Sequence, residues 1–115
     1  MQQNWKKLGQ VFNPLIHLPD GYCYGAVPIV RKIKNNILFV FFTARNSQNK
    51  SVLCEVEICL DRLIPISKTK VDLLVPGSIG SFDEDGVMAS DIFTNDGIDY
   101  ITYIKNKLNF LDTIK

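Results

Sequence analysis

Polar and apolar positions along the chain alternate or fall in short blocks, and little of the sequence follows helical spacing. Across residues 52–60 the alternation is unbroken, with Val52, Cys54, Val56, Ile58 and Leu60 on one side and Leu53, Glu55, Glu57 and Cys59 on the other. A strand with one solvent-facing side is written this way. Residues 37–42, Ile-Leu-Phe-Val-Phe-Phe, contain no polar position, so both faces of that strand are predicted to be covered. The run is too short and too aromatic for a helix. Residues 24–31 read as the strand before it, joined to it by the polar stretch 32–36. A fourth strand is predicted over 71–75, ended by Pro76-Gly77, which cannot continue a ladder. The expected unit is a four-stranded antiparallel sheet with 37–42 in its middle, between 24–31 and 52–60.

Further on, 88–94 and 98–104 flank Asn95-Asp96-Gly97. Asp-Gly between two β-prone runs predicts a hairpin, because a two-residue turn of this kind needs positive φ. Residues 37–42 and 98–103 start 61 positions apart, and each begins with Ile and carries aromatics at its third and sixth positions. A strand–turn–strand unit recurring at that distance suits blades of four antiparallel strands. The last stretch, 105–115, places Leu108, Leu111 and Ile114 at helical spacing, but eleven residues without a cap make a marginal helix. It is predicted as a frayed or docked tail.

Composition narrows the classes. With 115 residues the chain holds one domain's worth of material, and 46% hydrophobic against 22% charged residues excludes disorder on composition. A net charge of +1 offers no basic field for nucleic acid or anionic lipid. No apolar run reaches the roughly 18 residues of a spanning helix, and the lysines at 6 and 7 precede no apolar block of a signal peptide. The expectation is a cytoplasmic chain without nucleic-acid or membrane partners. Three cysteines, Cys23, Cys54 and Cys59, make a poor disulfide framework, and the lone His17 completes no metal-ligand spacing, so reduced thiols and no cofactor are expected.

Three stretches carry a resemblance when taken in order. They are Trp5-Lys6-Lys7-Leu8-Gly9 with Phe12-Asn13-Pro14, then Phe42-Thr43-Ala44-Arg45-Asn46 with Lys50-Ser51, and then Pro76-Gly77-Ser78-Ile79-Gly80-Ser81-Phe82-Asp83 leading into Gly86-Val87-Met88. Together they resemble the opening of five-bladed β-propeller proteins related to glycoside hydrolase family 43, and in particular uncharacterised members tied to bacterial surface-polysaccharide synthesis. The resemblance implies an all-β chain: one four-stranded blade over about 22–75 and the start of a second over about 82–104. Five blades of about 60 residues need roughly 300, so residues 1–115 are expected to be a truncated propeller. Its apolar blade faces would be left open to oligomer formation.

The chemistry that the resemblance implies is glycosidic cleavage by convergent carboxylates, with a carbohydrate or sugar conjugate as partner. Asp83 and Asp85 are the candidate catalytic carboxylates, and Arg45, Glu84 and Trp5 the candidate substrate-binding residues. Arg45 would fork onto an acidic group and Trp5 would stack on a sugar ring. Each has a plainer reading: Asp83-Glu84-Asp85-Gly86 is also good turn chemistry, Arg45 a solvated loop residue, and Trp5 a closer of a core edge. The chain departs from the family's pattern at Tyr22-Cys23, Gly25-Ala26, Ala89-Ser90 and Lys105-Asn106-Lys107. A His, an Asp and a Trp of the pattern are missing there. The expected function is therefore a carbohydrate-related, glycoside-hydrolase-like fragment without turnover on its own. The alternatives are a glycosidase-like enzyme completed by oligomerisation or a separately encoded remainder, and a small all-β protein-interaction module.

Overall fold

Asn35 and Asn36 explain how the first hairpin forms. Both have positive φ, 51° and 64°, which asparagine tolerates and which a two-residue turn between twisted strands requires. The computed structural model describes residues 4–77, 86–105 and 108–114, with 104, 105 and 108–114 described by their backbone. Around the Asn-Asn turn, β1 (Cys23–Lys34) pairs antiparallel with β2 (Ile37–Arg45). The polar stretch 32–36 is thus mostly strand, and only two residues of it form the turn.

β2 lies between β1 and β3 (Ser51–Cys59), as its unbroken apolar run predicts, and pairs with β3 without a register shift from Ile37↔Cys59 to Arg45↔Ser51. The fourth place in the sheet is divided between two strands. β4 (Ile64–Pro65) pairs with Ile58 and Cys59, while β5 (Lys70–Leu74) pairs with Leu53 and Glu55. The sheet therefore has five strands where four were expected. The ladder continues past Pro65, with the Ile66 N–H donating to the Glu57 carbonyl at 3.0 Å, before the chain leaves β3 and returns as β5.

A second antiparallel sheet follows, with order β6 (Met88–Asn95), β7 (Ile98–Lys105) and β8 (Leu108–Ile114). The predicted Asp-Gly hairpin is present, with Asp96 at φ 52° and Gly97 at φ 73°. Ile37 and Ile98 therefore hold equivalent places, each opening the second strand of a hairpin behind a two-residue turn of positive φ. β8 overturns the expected tail. Residues 108–114 pair with β7 from Asp99↔Ile114 to Lys105↔Leu108. The backbone groups of β7 offered a ladder that a marginal eleven-residue helix could not match.

The two faces of the first sheet hold two separate cores. Phe42, Ala44, Val52, Cys54, Val56 and Ile58 form one, covered in part by Val11, Phe12, Leu18 and Tyr22 from the segment before β1. That segment is shaped by a single helical turn, α1 (Pro14–His17), whose N-cap Asn13 accepts from the Leu15 N–H at 3.0 Å. On the opposite face, Phe41 and Leu53 of the first sheet meet Ala89 and Ile101 of the second. Here the expectation of one wet side on β3 fails, because Leu53 and Glu55 are both buried. The second sheet covers the face that alternation alone assigned to solvent. Among the described residues no helix is long and apolar enough to cross a membrane. The three cysteines are free thiols.

Candidate functional site

The sequence-predicted site residues are not gathered into one place by the described structure. Asp83, Glu84 and Asp85 lie outside the described residues. The contact directly after them is well defined: Gly86 bridges Ser51 in parallel, and the Val87 N–H donates to the Ser51 carbonyl at 3.0 Å. Arg45 ends β2 opposite Ser51. Its Nη1 donates to the Asn49 carbonyl at 3.0 Å, closing the exposed β2–β3 turn. The plainer reading of Arg45, a loop residue, accounts for that contact. Trp5 is 90% exposed, so it does not close a core edge.

A different set of charged side chains converges between the sheets. Its origin is a bulge in β1. The register runs Val30↔Val40 and then Lys32↔Phe39, leaving Arg31 as the extra residue. A bulge re-aims side chains that would otherwise alternate, and here Arg31 and Lys32 both reach the Phe39 ring. The Arg31 guanidinium carbon lies 5.6 Å from the Phe39 centroid and 5.3 Å from that of Phe41, and Lys32 Nζ lies 4.7 Å from the Phe39 centroid. Cations over aromatic faces are attracted by the ring quadrupole.

Arg31 Nε donates to Glu55 Oε2 at 2.8 Å, and Arg31 Nη1 stands 3.6 Å from Asp99 Oδ2. The other Glu55 oxygen, Oε1, is 3.9 Å from Lys70 Nζ. Asp99 also accepts from the Thr94 hydroxyl at 2.6 Å, across the β6–β7 hairpin. One guanidinium thus ties a carboxylate of the first sheet to one of the second, beside the shared apolar core. The Glu55 side chain is only 6% exposed and both its oxygens face cations. Through Arg31, that arrangement ties the first sheet to the second. Glu55 and Asp99 were legible only as polar members of alternating strands. Their convergence depends on how the two sheets stack, which strand periodicity does not encode.

Removing one partner of this pair strands the other in a largely dry place. Glu55→Ala is expected to cost about 3 kcal/mol, read from urea unfolding. In a double-mutant cycle with Arg31→Met, a coupling of about 1–3 kcal/mol is expected. Additive effects would show that the ion pair does not tie the sheets together.

A second polar contact fastens the segment before β1 to the edge of the first sheet. Tyr22 donates its hydroxyl proton to Asp72 Oδ2. That hydrogen bond, aided by partial burial and the Asp72 charge, pushes the Tyr22 hydroxyl up to about 12. Burial pushes the Cys54 thiol up to about 11, whereas hydrogen bonds from the Arg62 backbone and side chain hold the Cys59 thiol below its ordinary value. Both raised groups favour their protonated forms in the native state. The stability they contribute is full below their ordinary values of 9.0 and 10.0 and is lost as pH climbs toward 11 and 12. Melting temperature is expected to fall between pH 9 and 12, and less steeply in Tyr22→Phe. In native protein at pH 8, Cys59 is expected to react with a disulfide reagent while Cys54 stays inert. A Cys54 that reacted as fast as Cys59 would contradict this.

Among the described residues no three His, Cys, Asp or Glu side chains converge as metal ligands. No family model matches the chain, and no solved structure matches it. The chain is similar to two proteins of Mycobacterium tuberculosis, "Uncharacterized protein MT1551" of strain CDC 1551 / Oshkosh and "Uncharacterized protein Rv1502" of strain H37Rv. Each is 31% identical over 91 residues, which is 76% of this chain and 30% of the relative. The chain thus spans under a third of the length of the curated relatives it matches.

Proposed function

We propose that this chain is the opening of a five-bladed, glycoside-hydrolase-like β-propeller that binds a carbohydrate or sugar conjugate and has no turnover of its own. The observation that carries the reading is the stacking of two sequential antiparallel sheets, face to face, with their hairpins repeating 61 positions apart. Consecutive blades of a propeller pack in that manner. The length comparison agrees, since 91 residues making up 30% of a relative imply a protein of about 300 residues, roughly what five blades need. Catalysis requires two carboxylates about 5–10 Å apart across the scissile bond. Glu55 and Asp99 share the Arg31 guanidinium between the sheets, and Asp83 and Asp85 stand only two positions apart in the sequence.

The test is a titration of the purified chain with a panel of bacterial surface oligosaccharides, followed by amide chemical shifts, beside an aryl-glycoside hydrolysis assay. Saturable shifts near Arg45 and Gly86 without hydrolysis are expected. An absence of shifts with every oligosaccharide would remove the carbohydrate reading. Hydrolysis by the monomeric chain that vanished in Asp83→Ala or Asp85→Ala would replace it with an enzyme.

A further inference from the structure

The single turn α1 is closed by two side chains that cap each other's backbone. Asn13 Oδ1 accepts from the Leu15 N–H at 3.0 Å, and the Asn13 N–H donates to His17 Nδ1 at 2.8 Å. This is the reciprocal arrangement of a capping box, with an imidazole, one position further along, where Glu or Gln usually stands. The main chain of His17 is held as well, because the Thr69 hydroxyl, between β4 and β5, donates to its carbonyl at 2.8 Å. The His17 ring lies 5.3 Å from that of Phe12, which in turn lies 4.8 Å from the ring of the core residue Phe42. One residue thus fastens the strap 11–18, which covers the first core with Val11, Phe12 and Leu18.

A box closed by glutamate opens only at about pH 4, whereas imidazole changes charge between pH 5 and 8. The bond from Asn13 needs a lone pair on Nδ1, which only the neutral ring has. In the imidazolium both nitrogens carry protons, so the Asn13 N–H faces a donor. A cation beside Phe12 is attracted to that ring, but no orientation of the imidazolium restores the acceptor. The hollow beside the ring is lined by Gln10, Val11, Leu63, Ile64 and Pro65, none of them charged. Asp20, Cys23 and Tyr24 line a separate hollow with Leu15. Asp61 and Arg62 precede Leu63, and Lys68 and Lys70 flank Thr69. Among the described residues the ring's hydrogen bond is to Asn13, and it joins no ion pair that would hold an added proton.

We propose that His17 is a pH-operated latch: the strap 11–18 is fastened over the first sheet while the ring is neutral and is released when the ring takes a proton. The strap is closed at pH 7.5 and loosens as pH falls through the imidazole range. That direction is opposite to the alkaline loss that Tyr22 and Cys54 set. Release withdraws Phe12 and Pro14 from the apolar surface of Val40, Phe42, Val56 and Ile58 that they wall. The β2–β3 ladder beneath, paired without a register shift, stays closed. The inference stands on the contacts of α1 alone and is independent of the propeller reading.

The test follows the amide resonances and the Val11 and Leu18 methyl resonances of the 115-residue chain from pH 8 to pH 5, with amide exchange corrected for its intrinsic pH dependence. The Ile16 and His17 amides both donate to the Asn13 carbonyl. Their protection is expected to fall about tenfold, the worth of one hydrogen bond, while Val11, Asn13 and Leu18 shift with the same midpoint as the imidazole. His17→Gln supplies an amide oxygen that accepts at every pH, so the response is expected to vanish. His17→Ala has no acceptor, so its protection is expected to be low already at pH 8. His17 lies outside both cores, and melting temperature at pH 8 checks that the sheets of each variant are intact. Equal protection at pH 8 and pH 5, or a response that persists in His17→Gln, would overturn the inference. A shift confined to Asn13, with Val11 and Leu18 unmoved, would overturn it too, since the strap would not follow the ring.

Discussion

Phe41→Ala is expected to remove about 3–5 kcal/mol of stability, against a total of roughly 5–15 for a domain of this size. The ring is 1% exposed and sits where Leu53, Ala89 and Ile101 meet across the two sheets. Its loss leaves a cavity that neither sheet can close, because β2 is held by uninterrupted ladders on β3. It also removes one of the two aromatic faces under Arg31. Phe41→Leu, which keeps most of the volume, should lose no more than about 1.5 kcal/mol. Urea unfolding followed by tryptophan-independent circular dichroism is the appropriate measurement, since Trp5 lies outside the core. A loss below 1 kcal/mol for the alanine variant would mean that the sheets are not packed on each other.

Gly86→Ala is expected to be nearly as damaging although it adds only one methyl group. Gly86 has φ +135°, and a Cβ there would lie 2.8 Å from the Ser51 nitrogen and 3.2 Å from its carbonyl oxygen. Those are backbone atoms of a strand buried in the middle of the sheet, so no side-chain rotation relieves the clash. Backbone strain and overpacking together predict a cost of about 3 kcal/mol. The Val87 N–H bond to Ser51 is expected to weaken with it. Gly97→Ala is the control. It has φ +73° and nothing within 4 Å of the added carbon, so only the left-handed penalty of about 1 kcal/mol applies. Equal melting temperatures for the two variants would refute the close approach at Ser51.

The strands were legible wherever one residue type dictated the outcome. The all-apolar run of β2 could only be a central strand, and Asp96-Gly97 could only be a tight turn. Three features were not legible, and each depends on a neighbour. The buried side of β3 needed the second sheet to be in place. The fourth strand's division shows only in the two separate pairings that β3 makes, with Ile64–Pro65 and with Lys70–Leu74. β8 took its conformation from the open edge of β7 against its own weak helical spacing. The candidate site behaved likewise. Arg45 and Trp5 were chosen by resemblance and stand on the surface, while Arg31, Glu55 and Asp99 converge through a bulge and a stacking that no linear pattern records.

The pairing of each strand with its sequence neighbours also determines how the molecule comes apart. β1, β2 and β3 pair by short hairpin connections, and so do β6, β7 and β8, so either meander can form or open without waiting for the other. Sequence-local units of this kind behave as separate cooperative foldons. Native-state hydrogen exchange should divide the chain accordingly. The amides of β2 and β3, shielded on both edges, exchange only on global unfolding. Those of β6 and β7 exchange earlier and together, through an opening that releases Ala89 and Ile101 while Phe42, Val52 and Cys54 stay packed.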